Sequence, residues 1–473
     1  MQTHSADIPQ PALLEEILRA REERQHRQQR LLRRYRRPLI SLSLNIAGAL
    51  KQFPLAQKTY AEASRMMHRH LERMGACVIG SEEVHARSGS EGCFAVDGRD
   101  ATSLKRGMVA LEESRPVARL FDLDVLDADG RHLSRKDLGL PPRRCLLCDA
   151  AAAGCARSRA HALEEVRRHT LSLMERHFQE QKADILAGYA LRSLLYEVCV
   201  TPKPGLVDRV SNGAHDDMDI FTFMDSSSVL FPYFRHCALL GLREHGLAPD
   251  ALFDRLRCPG MDAEDAMHRA TGNVNTHKGA IFSLGIVCAA AGRLLGRQER
   301  LTPAAISATS AAMTSGVLAE CRNVPPNVPL TNGLRLYGKG IHGARGEAAS
   351  GFSSVLRYGL PSLERELAAG ASIDRAGALT LIRLMAKVFD TNIISRSSLR
   401  DQYALQDRLQ GILAADEAPS RARLRELDAW LVAGNISPGG CADLLGLSWM
   451  LYFLRRDTAL EERDQAARQA EDA

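Results

Sequence analysis

A chain of 473 residues exceeds what one core usually holds, so two domains are the first expectation. Its 45% apolar and 25% charged residues are those of a soluble globular protein, and a net charge of +5 is too mild to mark a nucleic-acid partner. Eleven scattered cysteines, several in apolar contexts such as Cys199 and Cys288, argue for reduced thiols and against a disulfide framework. Residues 1–20 carry no apolar signal core, and the longest apolar run, 281–292, is too short to span a bilayer, so a cytoplasmic protein without a membrane partner is expected.

The first distinctive stretch is "REERQHRQQRLLRRYRRP", with arginine at 21, 24, 27, 30, 33, 34, 36 and 37. Two glutamates interrupt it and no aromatic platform is interleaved. That favours a solvated helix face over an RNA-binding arm. Short β-like runs follow: "LISLSLNI" (39–46), "CVIGSEEVHA" (77–86), "GCFAV" (92–96) and "RLFDLDVLDADG" (119–130), separated by Gly, Asp and Ser. In the last of these Phe121, Leu123 and Val125 alternate with Asp122 and Asp124. On a strand the apolar trio faces the core and both carboxylates share the other face, about 7 Å apart. Two acids so placed can hold Mg²⁺ against a polyphosphate, because that ion takes hard oxygen ligands and few protein contacts. A wet strand face is the plainer alternative.

"RRCLLCDAAAAGCARSRAH" offers Cys145, Cys148, Cys155 and His161, a set that resembles zinc ligands. The spacing is compressed and no second CxxC follows, so buried thiols beside a basic loop are the alternative. Arg157 and Arg159 lie two apart and can grip phosphates with their forked donors. "HALEEVRRHTLSLMERHFQEQ" (161–181) then places Leu163, Val166, Thr170, Met174 and Phe178 at helical spacing, and beyond it Ala-, Leu- and Arg-rich runs alternate with Gly-Pro clusters. The texture predicts an α+β first domain, 1–181, and an all-α second domain, 182–473.

The stretches "REERQHRQQRLL", "LSLNIAG", "RLFDLDV", "RRCLLC" and "CARSRAH" occur in an order that resembles the apo-citrate lyase phosphoribosyl-dephospho-CoA transferases. The resemblance implies nucleotidyltransferase-like chemistry in this domain. A serine of the lyase's apo acyl-carrier (gamma) subunit attacks a triphosphate-bearing coenzyme A derivative, and pyrophosphate leaves. Asp122 and Asp124 are then the metal carboxylates, with Arg119 near the phosphates.

In the second domain, "LLYEVCVTPKPGLVDRVSNGAHDDMD" (194–219) begins as a helix that Pro202 and Pro204 stop. The following loop carries Lys203, Asp208, Arg209, His215, Asp216, Asp217 and Asp219. A helix N-cap explains one of the last three acids, with Asp216 the expected cap. The remainder need a cation, and Mg²⁺ held by Asp216, Asp217 and Asp219 is the reading. In "TGNVNTHKGAIFSLG" (271–285), Asn275, Thr276, His277, Lys278 and Gly279 precede the apolar helix that begins at Ile281. A helix start presents unpaired amides and positive partial charge, Lys278 adds a full charge, and Gly279 allows close approach. The run reads as a phosphate cradle without the P-loop spacing. Two more glycine-rich turns invite the same reading: "GKGIHGARGEAASGF" (338–352), with Arg345 and Glu347, and "NISPGGCADLLG" (435–446), with Ser437, Gly439, Gly440 and Asp443.

Together "TPKPGLVDR", "GAHDDMD", "TGNVNTHKGAIFSLG", "GARGEA" and "SPGGCADLL" closely resemble the triphosphoribosyl-dephospho-CoA synthases. The resemblance implies ATP and 3′-dephospho-CoA as substrates. The 2′-hydroxyl of the dephospho-CoA ribose attacks C1 of the ATP ribose and adenine leaves. Asp216 or Asp217 is the expected base, His277 assists the departing adenine, and Lys203, Lys278 and Arg345 hold the triphosphate. The chain thus reads as a bifunctional enzyme that makes the citrate lyase prosthetic group and installs it, with small-molecule nucleotides as ligands. Two alternatives are the same chemistry serving malonate decarboxylase, and, from a different class, a zinc-containing nucleic-acid-binding protein.

Overall fold

A computed structural model describes residues 10–48, 51–322, 336, 340–415 and 419–456. The chain divides into two compact units. Phe178 ends the first and Gln179 begins the second, inside one helix, Leu163–Cys199. The first unit is α+β. The second consists of helices and loops, with no strand among its described residues.

In chain order the first unit has α1 (Gln10–Tyr35), β1 (Leu39–Leu44), α2 (Pro54–Arg73), β2 (Cys77–Ala86), β3 (Gly89–Asp97), α3 (Ala101–Glu113), β4 (Phe121–Leu126), β5 (His132–Leu133) and α4 (Ala152–Ser158), and α5 (Leu163–Cys199) begins within it. All strand pairs are antiparallel, in the order β2-β3-β1-β4-β5. Strand side chains alternate faces, so Ile40, Leu42, Phe94, Val96, Phe121, Leu123 and Val125 all point to one side. There they bury against Tyr60, Ala63 and Met67 of α2 and Leu104, Met108 and Leu111 of α3. The opposite parity puts Ser41, Ser43, Asp122 and Asp124 on the other face, with Ser43 opposite Asp122 and Ser41 opposite Asp124.

The arginine-rich helix α1 covers part of that second face with one side, while Arg21, Arg30, Arg33 and Arg34 stay exposed on a solvated face. Leu31 packs on Leu39, Cys93, Ala95 and Leu126. Four residues earlier, one turn back, Arg27 is buried and ion-paired with Glu91, which also holds Arg24. Arg30 reaches Glu82 at 2.6 Å. These arginines therefore answer carboxylates of the chain itself, which weakens the nucleic-acid alternative.

The second unit includes α6 (Ile220–Arg243), α7 (Pro249–Ala270), α8 (Lys278–Gly296) and α9 (Pro303–Met313). Helix α8 is its axis: of its 19 residues the stretch Ala280–Leu295 is buried except for Phe282. The small residues of "GIVCAAAG" allow this. A Cβ on Gly292 would lie 2.3 Å from the Ala238 carbonyl oxygen, and one on Gly241 2.1 Å from that of Ala289, so α6 and α8 touch backbone to backbone. Among the described residues α8 alone is long and apolar enough to cross a membrane, longer than the bare apolar run suggested. It is a core helix, 83% buried inside the unit over its most apolar window.

Candidate active sites

The first unit brings its polar groups to the exposed half of β4. Asp122 and Asp124 stand beside two cations: Arg143 Nη1 lies 3.2 Å from Asp122 Oδ1, and Lys105 Nζ 3.6 Å from Asp124 Oδ1. Beyond Asp124, β4 pairs on to β5; before it, the strand edge is open. Side chains close that edge. Glu112 Oε1 accepts the Leu123 amide at 3.1 Å, and Lys105 Nζ donates to the Leu123 carbonyl at 3.0 Å. Arg119 turns away from solvent to donate to the carbonyls of Cys145 (2.5 Å) and Arg144 (3.2 Å). Lys51 completes the basic rim. Burial, and the nearby Arg21 and Arg24, hold its ammonium below its ordinary value while Asp122 pulls the other way. Arg157 and Arg159 are exposed at the end of α4.

The second unit encloses a cavity of about 760 Å³. Two helix starts open into it, α8 at Lys278 and the helix Gly439–Arg456. Five carboxylates line it: Glu197, Asp217, Glu347, Asp390 and Asp443. So do Lys203, Lys278, Lys387, Arg396 and the histidines 215, 277 and 342. Gly279 is required by contact rather than by backbone angle, since a Cβ there would sit 2.0 Å from Asp443 Oδ2. Burial, with Glu197 and Asp390 close by, pushes Asp443 well above the usual carboxylate range. Burial likewise raises Asp390 and Glu347. Gathered acids with raised values are what a cavity shows when its charge awaits a cationic or metal-bound partner.

His277 is held by a directed chain. Thr276 Oγ1 donates to Ser226 Oγ at 2.8 Å, and Ser226 Oγ lies 2.6 Å from His277 Nδ1. When the Ser226 hydroxyl donates to Nδ1, the proton of the neutral ring sits on Nε2, which is buried and has no hydrogen-bond partner. Burial first, and Lys203 second, push the imidazole down to about 3. His277 is therefore a neutral donor at neutral pH and not a source of a free proton. His215 is tied to Ser437 Oγ at 2.8 Å and lies 3.6 Å from Asp217; burial and Arg396 hold it below its ordinary value.

Several residues singled out in the sequence converge here: Lys203, Asp217, Asn275, Thr276, His277, Lys278, Gly279, Ser437, Gly439 and Gly440 all line the cavity. Asp216, Asp219 and Arg345 do not. Asp219, not Asp216, is the N-cap of α6: its Oδ1 accepts the Thr222 amide and hydroxyl, both at 2.9 Å, and the Thr222 hydroxyl receives the Asp219 amide in return. Lys203 is buried and donates from Nζ to Glu197 Oε1 at 2.5 Å and to the Glu197 carbonyl at 3.1 Å. Lys278 is more than half exposed and pairs with Glu264 at 2.7 Å. Glu197, Asp390 and Arg396 were not singled out. Glu197 sits near the end of α5, Asp390 caps the short helix Thr391–Arg396 and Arg396 ends it, and only packing brings them together.

The depressed His277 predicts a pH effect. Below the unfolded-state value near 6.5 the unfolded chain takes up a proton that the folded chain refuses down to about 3. Stability is therefore lost as pH falls through that window, by up to about 1.4 kcal/mol per pH unit from this group. Thermal melts of wild type and His277→Gln between pH 7 and pH 5 should show the steeper acid loss in wild type. Parallel curves would show that the ring is protonated in the fold.

Comparison with known proteins places both units. The family described as ATP:dephospho-CoA triphosphoribosyl transferase matches residues 183–462, and apo-citrate lyase phosphoribosyl-dephospho-CoA transferase matches residues 12–177. Protein CitXG of Haemophilus influenzae is 35% identical over 453 residues, covering 93% of this chain and 96% of its own length. The probable 2-(5''-triphosphoribosyl)-3'-dephosphocoenzyme-A synthase of Pectobacterium carotovorum is 43% identical over 265 residues, 55% of this chain and 86% of the relative. The Haemophilus ducreyi synthase is 37% identical over 330 residues, 65% and 98% of the two chains. The chain belongs to the ATP:dephospho-CoA triphosphoribosyl transferase family, in the fused form that carries an apo-citrate lyase phosphoribosyl-dephospho-CoA transferase region ahead of it.

Proposed function

We propose that the chain catalyses two successive transfers. Its second unit joins ATP to 3′-dephospho-CoA through the 2′-hydroxyl, expelling adenine and keeping the triphosphate. Its first unit, read as nucleotidyltransferase-like, moves the product onto a serine of the apo acyl-carrier (gamma) subunit of citrate lyase and releases pyrophosphate. The observation that carries this reading is the second unit's cavity. It combines two helix starts, suited to phosphate, with a set of carboxylates suited to a cationic ribose.

The residues divide the work by position. Lys278 and the amides at the start of α8 meet the triphosphate. His277 donates its Nε2 proton in a hydrogen bond to the departing adenine without losing it. Asp217, exposed and lining the cavity, takes the proton from the attacking hydroxyl. Asp443 and Glu347 stabilise the positive charge that develops on the ribose. Lys203 serves the reaction by holding Glu197. In the first unit Asp122 and Asp124 offer hard oxygen donors on one strand face, each already beside a cation, a set that fits Mg²⁺. Bound there, Mg²⁺ would supply neutralisation of phosphate charge, with Asp122 and Asp124 as the residues that would hold it. In the second unit Asp217 is the exposed oxygen donor for the same ion.

The test uses the purified full chain. ATP with dephospho-CoA should release adenine in proportion to the dephospho-CoA consumed. Pyrophosphate should appear only after apo-carrier is added, with the citrate lyase carrier favoured over that of malonate decarboxylase. Pyrophosphate without adenine would overturn the reading. Lys278→Ala should weaken ATP binding by roughly tenfold, the low end for a charge-assisted contact, and adenosine binding hardly at all. Its exposed pair with Glu264 is worth at most about 1 kcal/mol, so melting should barely move. Calorimetry with both ligands checks this; equal loss for ATP and adenosine would take the triphosphate away from Lys278.

A further inference from the structure

Three thiols and one imidazole outside both sites meet at a point. Cys145, Cys148, Cys155 and His161 each bring one ligand atom, and all four atoms lie within 4.8 Å of one another. The local chain is built to bring them there. Residues 143–152 form a tight loop closed by the Cys145 amide on the Ala150 carbonyl and the Ala152 amide on the Arg143 carbonyl, both at 2.8 Å. Inside it the Leu147 amide points at Cys145 Sγ, 3.5 Å away. Helix α4 then carries Cys155, and Arg159, in the left-handed region at φ 50°, turns the chain so that His161 comes back to the thiols. The His161 Nε2 atom is shielded from solvent and has no hydrogen-bond partner.

We propose that Cys145, Cys148, Cys155 and His161 form a four-coordinate structural zinc site that closes the 143–161 segment on itself. Three sulfurs and one imidazole nitrogen are a ligand set zinc takes in closed structural sites. With zinc–sulfur bonds of about 2.3 Å, tetrahedral geometry separates two thiolates by about 3.8 Å. Cys148 and Cys155 already stand at 3.6 Å, where a disulfide would need about 2.05 Å. All four positions are filled by the protein, so the metal holds structure and does no chemistry. What it holds is the rim of the first unit's carboxylate face. Arg119 donates to the carbonyl of Cys145 itself, and Arg143, two residues before the first ligand, reaches Asp122. The zinc site is separate from the Asp122 and Asp124 metal site, and its existence does not depend on the activity assigned above.

The experiment is metal analysis of the full chain, purified reduced and without added chelator. About one zinc per chain is expected, falling at least fivefold in Cys148→Ser and in Cys155→Ser and unchanged in Cys77→Ser, a thiol outside the cluster. Replacement by Co²⁺ gives a readout that needs no variant: the intact set should show intense sulfur-to-cobalt absorption and tetrahedral visible bands. Cys148→His should keep the metal with shifted bands, which separates loss of a ligand from loss of fold. Zinc-free reduced protein that shows no thiolate bands with Co²⁺ would overturn the proposal. So would a Cys148–Cys155 disulfide in protein kept under reducing conditions, or retention of zinc in both serine variants.

Discussion

Asp122→Asn and Asp124→Asn are each expected to abolish transfer to the carrier while adenine release from ATP continues unchanged. Both side chains leave β4 on the face opposite its core, because Phe121, Leu123 and Val125 claim the other parity. On the proposed reading, loss of one negative charge would leave a divalent cation with a single carboxylate beside a polyphosphate. Removing one preorganised electrostatic partner of a reacting group typically costs on the order of 10² to 10³ in rate, and a lost metal costs more. The fold should survive. Asp124 is exposed and Asp122 nearly half exposed, and the buried Lys105 keeps its bond to the Leu123 carbonyl, so losing either pair should cost about 1 kcal/mol. Pyrophosphate release with apo-carrier, adenine release without it, and a thermal melt complete the measurement. If both variants transfer normally, the face is merely wet and the metal belongs elsewhere.

The strand that carries those acids was legible because its signal is local. Alternation over six residues fixes both the element and the face. The start of α8 was legible for the same reason: a polar run against an apolar one marks a helix start, and the structure puts it there, with Thr276, His277 and Lys278 at the cavity. Glu197, Asp390, Arg396 and Asp443 were not legible as a set. Glu197 comes from α5, Asp443 from the helix Gly439–Arg456, and Asp390 and Arg396 from the cap and the end of one short helix, Thr391–Arg396, and nothing in such stretches distinguishes a charged residue that will face a cavity from one that will face water. The acidic run 216–219 misled for a related reason. Its three aspartates look alike in sequence, but their places differ: one caps α6, one is exposed off the cavity and one lines it. The same limit applies to Lys203. A lysine between two prolines reads as a loop cation, and only the folded chain shows its Nζ turned back onto the helix it has just left.

That turn makes Lys203 the site of the largest stability effect. Lys203→Met is expected to destabilise the second unit by about 3 to 5 kcal/mol, because it strands Glu197 as an uncompensated charge where both partners are buried. For a unit of this size that lowers the melting temperature by roughly 6 to 20 °C. The paired replacement Lys203→Met with Glu197→Leu removes both charges and should recover most of the loss, since a buried ion pair exchanged for apolar groups of similar volume is often close to neutral. Adenine release should not recover with it. Both residues line the cavity, and Lys203 is also the second cause, after burial, of the depressed His277. The double variant therefore separates holding the fold from shaping the site. Melts and adenine release are measured on all three proteins. A Lys203→Met protein that melts with wild type would show that Glu197 needs no partner. A double variant that regains turnover as well as stability would show that the pair serves the fold alone.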